Sequence, residues 1–208
     1  AHGAGRAIDR RVFTHGDGGT TFRVSTFPVG FVDLGDCHLI YYYNDGYNSY
    51  DGGAGYFDEA LQNGWHIGAS GSGDDHLGTW GTAQPWRMAV LANTITRSEI
   101  LNAFRARRFY STLDKNLSLS FKINDSEMGS TILPGTYTLK ILTDDGSDIE
   151  IFTNIFLLKN GSVINEWLPY RKKVNITDNV TVSSGEYYYV RVMQADGGEA
   201  ISSPMWIQ

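Results

Sequence analysis

Leu117-Ser118-Leu119-Ser120-Phe121-Lys122-Ile123 carries an apolar side chain at every second residue. Side chains of a strand alternate between the faces of its sheet, so this heptapeptide predicts a strand that buries Leu117, Leu119, Phe121 and Ile123 on one side. Further along, Tyr137, Leu139 and Ile141 repeat the spacing. Ile149 to Leu158, Val163 to Trp167, Val174 to Val182 and Tyr187 to Met193 read as additional strands, punctuated by Asn-Gly, Asp-Gly and Ser-Gly, with Lys159-Asn160-Gly161-Ser162 as a hairpin turn. About seven strands over roughly ninety residues predict a two-sheet sandwich. Cys37 is the sole cysteine, so the sandwich is immunoglobulin-like in architecture only, without an intersheet disulfide.

Upstream the composition changes near Lys115: that half is rich in glycine and holds all five histidines. The expected organisation is α/β then all-β, with one domain over residues 1–115 and a β-sandwich domain over 116–208. Tyr56 to Asn63 predicts a short helix and Trp65 to Ala69 a strand, together the helix-to-strand half of an α/β unit. Met88 to Ala92 is a continuous apolar run suited to a strand buried on both faces. Thr96 to Arg108 predicts a helix in which Thr96 caps, Glu99 returns the bond, and Ile100, Ala103, Phe104 and Arg107 share a face. Arg105, Arg107 and Arg108 then suit the negative end of that helix better than a nucleic-acid surface.

The net charge of -6 over 208 residues argues against a nucleic-acid backbone or an anionic membrane as partner. No run of about 18 apolar residues exists to span a bilayer as a helix. The first residue is Ala1, which leaves missing upstream sequence as an expectation; a secreted or periplasmic location is slightly favoured. Asn116, Asn124, Asn160, Asn175 and Asn179 stand in acceptor sequons, in a region where Ser and Thr are strand formers anyway.

Asp74 and His76, in Gly71-Ser72-Gly73-Asp74-Asp75-His76, are the candidate chemistry-bearing pair. A carboxylate and an imidazole two residues apart on a glycine-freed loop can converge on one cation, with Asp75 adding charge. Two ligands do not fill a coordination sphere, and His2, followed by Gly3, is the candidate third. His15 is a weaker rival, and His66, inside the expected strand, reads as a hydrogen-bonded core residue. Ser70 and Ser72 fail the nucleophile-elbow pattern, and no phosphate loop is present. The Tyr41 to Gly53 stretch interleaves tyrosines with amides and carboxylates, a composition suited to a sugar-binding rim or to an irregular loop.

These residues carry a resemblance. Gly64-Trp65, Gly73-Asp74-Asp75-His76, Trp80-Gly81, Arg87 to Ala92 and Ala103 to Thr112 resemble the closing part of a PHP-type metallohydrolase of the CehA/McbA-like branch. The ending Tyr187 to Val192, Gln194 to Gly197 and Ser202 to Ile207 is similar to the β-sandwich that trails that domain. The resemblance implies a partial, distorted (β/α)7 barrel before the sandwich, and divalent zinc, manganese or iron held by Asp74, His76 and His2. It also implies metal-dependent hydrolysis of a small-molecule substrate, of phosphoesterase type. The family's opening His-x-His motif does not precede Asp74, and seven barrel strands do not fit before residue 115. The expectation is therefore the C-terminal portion of a hydrolase, whose remaining barrel a partner chain or missing sequence would supply. The alternative is a non-catalytic, secreted glycan- or protein-binding module.

Overall fold

The computed structural model describes residues 39–44, 47–48, 56–71, 87–146 and 150–208. The first elements are β1 (Leu39–Asn44), β2 (Tyr47–Asn48), α1 (Tyr56–Gln62) and β3 (Gly68–Gly71). β1 pairs antiparallel with β2 and parallel with β3, so β1, α1 and β3 form a single β-α-β crossover. The expected α/β unit is thus present once. Next come β4 (Arg87–Val90), α2 (Arg97–Arg105) and β5 (Phe109–Thr112).

The remaining elements are all strands: β6 (Leu117–Ile123), β7 (Ser126–Glu127), β8 (Thr131–Ile132), β9 (Gly135–Asp145), β10 (Phe152–Lys159), β11 (Ser162–Trp167), β12 (Lys173–Val182), β13 (Tyr187–Gln194), β14 (Glu199–Ser202) and β15 (Met205–Ile207). One sheet runs β11-β10-β13-β14-β5-β4, with β15 joining β13 to β8; the other runs β12-β9-β6-β7. The two face each other as a sandwich.

The implied PHP barrel is not what forms. A (β/α)7 barrel alternates parallel strands with helices, whereas the described residues hold two short helices and pair almost wholly antiparallel, apart from β1 with β3 and β15 with β8. Two of the segments that carried the resemblance instead contribute strands to the sandwich: β4 and β5 belong to the same sheet as the C-terminal strands. Ala200, Ile201 and Ser202 of β14 register against Thr112, Ser111 and Tyr110 of β5, across the position expected as a domain boundary. The hydrolase and phosphoesterase reading loses its scaffold with the barrel.

The opening heptapeptide folds as its alternation dictates. Leu117, Leu119, Phe121 and Ile123 are buried together with Leu139 and Ile141 of β9 and Val174, Val180 and Val182 of β12. They pack against Ile155 and Leu157 of β10, Tyr188, Val190 and Val192 of β13, and Met205 and Ile207 of β15. Asn160 and Gly161 take φ of 51° and 82°, the left-handed pair that a two-residue hairpin between right-twisted strands requires.

β13 is buried on both faces. Tyr188, Val190 and Val192 enter the intersheet core, while Tyr187 and Tyr189 point outward into a second cluster with Phe57, Ala60, Leu61, Trp65, Ile67, Leu158, Ile201 and Trp206. α1 and the segment after it therefore roof the outer face of the larger sheet, giving a third layer. Gly68 makes the close approach possible, since a Cβ there would overlap Ser203 Oγ and the Phe109 ring. α2 has the expected cap, Glu99 N–H donating to Thr96 Oγ1 at 3.3 Å. It stops at Arg105 rather than Arg108 because Arg107 adopts φ 54°.

Candidate functional site

Asp74, His76 and His2 lie outside the described residues. The imidazole nearest to them in the described chain, His66, is not the core residue expected: it is exposed on one side and stacks on Trp206 with the other, at 4.5 Å between centroids and 11° between planes. Arg107 sits over the same indole, 5.1 Å from its centroid. Desolvation of the stacked imidazole and then the Arg107 charge push the His66 pKa down to about 4, so it is neutral at physiological pH.

Asp114 meets two acidic residues from beyond the next long strand, Asp145 and Glu150, at one end of the sandwich. Asp114, Asp145 and Glu150 each bring a carboxylate oxygen within 4.8 Å of the others. Hard cations take such oxygens. Asp145, however, already receives Asn116 Nδ2 at 3.0 Å on Oδ1 and Gln194 Nε2 on Oδ2, and Asp114 Oδ1 accepts from the Asn116 N–H at 3.1 Å. These bonds tie the β5–β6 connection to the ends of β9 and β13. The cluster has no motif spacing, which is why sequence reasoning did not find it.

A buried polar group lies under the roof. Asp58 is wholly buried and its Oδ1 accepts from Tyr189 Oη at 2.6 Å. Burial raises its pKa, while the Tyr189 bond and the Arg191 charge act against that rise. Arg191 in turn donates from Nε to Glu199, which is also buried. Burial, and then Asp58 itself, raise the Tyr187 hydroxyl well above the usual phenol range.

On the surface, β11 ends the larger sheet, with β10 as its one neighbour among the described residues. Val163, Ile164, Leu168 and Tyr170, on β11 and just after it, are 53%, 47%, 55% and 63% exposed, and Arg171, Lys172 and Lys173 follow directly. A register shift in β10–β11 between Leu157 and Leu158 explains why the consecutive Val163 and Ile164 both reach solvent. The sequence reads Val163 to Trp167 as one more strand of the set and carries no local signal that separates an edge from a centre.

Fold and surface together define a β-sandwich domain roofed on one side by a β-α-β unit. No protein-family model matches the chain. It is 29% identical over 140 residues to an uncharacterised protein, CPj0512/CpB0533, of Chlamydia pneumoniae, covering 59% of this chain and 23% of that one. An uncharacterised protein of Chlamydia muridarum is 26% identical over 140 residues, covering 59% and 22%. The chain thus spans less than a quarter of the length of these curated relatives. Among solved structures it is similar to the CARDB domain of the PF1109 protein from Pyrococcus furiosus, determined in complex with di-metal ions, at 12% identity and TM-score 0.32 over 44% of this chain and 87% of that one. The sulfur carrier protein SoxY from Chlorobium limicola f thiosulfatophilum gives 12% identity and TM-score 0.32 over 46% and 81%.

Proposed function

We propose that this chain is a non-catalytic, protein-binding β-sandwich module of a longer protein, and that it binds through the β11 edge. The observation that carries the reading is the grouping of Val163, Ile164, Leu168 and Tyr170, all about half exposed or more, on and just after a strand that is paired on one side among the described residues. Single exposed apolar residues are ordinary, but several adjacent ones on an unpaired edge are what a partner covers. A free edge offers main-chain hydrogen bonds to an extended peptide, and the alternating side chains beside it supply selectivity. Arg171, exposed directly after this patch, favours an acidic partner segment, whereas Lys173 is held by Asp144 at 2.6 Å.

The test is site-specific photo-cross-linking in the full-length protein. A photoreactive residue at position 164 is expected to give a discrete protein adduct, while one at position 175, on the solvent face of β12, gives none. Equal labelling from both positions, or none from 164, would overturn the reading. A glycan signal that persists in chelator and depends on Tyr47 would favour sugar binding instead.

A further inference from the structure

α1 seats on the larger sheet through an apolar face that has one carboxylate in it. Asp58 is wholly buried; its Oδ1 is engaged by Tyr189, whereas its Oδ2 has no hydrogen-bond partner among the described residues. Tyr187, stacked on Tyr189 at 6.3 Å between centroids, likewise has a buried hydroxyl without a partner among the described residues. An ionised carboxylate in so apolar a layer needs donors on both oxygens, while a neutral carboxyl needs fewer and has a proton of its own to donate.

We propose that Asp58 makes the docking of α1 proton-dependent: the helix is seated on the sheet when the carboxyl carries its proton and is loosened when the carboxyl ionises. The facing groups among the described side chains set the balance. From β13 come Tyr187, Tyr189 and Arg191; from β14 comes Glu199, which is held by Arg191 Nε; β10 contributes Phe156 and Leu158, which are apolar. Burial favours the neutral acid, and the Tyr189 donor and Arg191 charge favour the anion, with burial prevailing. Because the folded-state pKa is raised above the ordinary 3.8, this group's stabilisation is complete below that value and is lost as pH rises through the folded-state pKa.

Hydrogen exchange followed by mass spectrometry from pH 4.5 to 8, corrected for the intrinsic pH dependence of exchange, tests the latch. Protection of residues 56–67 is expected to be lost progressively as pH rises, while β6 and β9 keep theirs. Asp58→Asn keeps the shape, is neutral at every pH and has a donor, so it should remove the dependence. Tyr189→Phe removes a donor that favours the anion and should move the midpoint to higher pH. Constant protection in the wild type, or an unchanged pH dependence in Asp58→Asn, would overturn the proposal. Should Asp58→Asn not fold, a Tyr189→Phe midpoint that stays put or moves down overturns it equally.

Discussion

Phe121 shows most directly how one residue ties the pattern to the fold. Its ring is fully buried between sheets whose other contributors come from β9, β10 and β13, so truncation would leave a cavity that close-packed strands fill only in part. Phe121→Ala is expected to cost about 3–5 kcal/mol by urea unfolding. Arg191 tests a different term. With Glu199 only 5% exposed as a side chain, Arg191→Leu leaves a buried carboxylate without the Arg191 charge, and a loss of about 3–5 kcal/mol is expected by urea unfolding. Phe121 was legible because a period of two names its face. Asp58 was not, since a carboxylate in a short helix ordinarily faces water and only the tertiary roof buries it.

The elements are local decisions that the sequence makes at their ends. Asn160 and Gly161 close β10 onto β11 with φ values of 51° and 82°. Gly161→Val places a β-branched residue in the left-handed region and should cost about 1–2 kcal/mol, visible as a lowered urea midpoint with an unchanged slope. Thr96→Ala removes the acceptor for the Glu99 N–H and should cost about 1 kcal/mol. Both signals are readable in sequence because turn and cap chemistry is local. Pairing partners are not local. Met88 to Ala92 reads as a strand buried on both faces, yet β4 ends its sheet and its residues are only half-buried. β13, which alternates less clearly to the eye, is the strand covered on both sides. Hydrophobicity reports burial, but which neighbour provides it depends on the sheet order.

At the scale of the whole molecule, the sandwich half was legible and the barrel was not there to be read. The short segments read as resembling a metallohydrolase, Arg87 to Ala92 and Ala103 to Thr112, supply instead β4, the end of α2 and β5, with both strands in an antiparallel pair. The registers Ile201 with Ser111 and Ser202 with Tyr110 then fix the topology, and pairings ninety or more residues apart leave no local signature. The predicted ligands Asp74, His76 and His2 fall outside the described residues, while the acidic cluster at Asp114, Asp145 and Glu150 arose from strand ends that only the fold brings together. Among the described residues no helix is long and apolar enough to cross a membrane.

The proposed binding through the β11 edge is separable from folding. Ile164→Lys places charge at an already exposed site, so stability should change by no more than about 0.5 kcal/mol while the cross-linked adduct formed from position 163 disappears. Residue-resolved amide exchange of the isolated chain tests the underlying claim most directly, because it reports which strands have neighbours on both sides. The account predicts slowest exchange in β13, with alternate amides of residues 162–167 exchanging far faster. Protection in β11 equal to that in β13 would mean that the edge is already covered, and would contradict it.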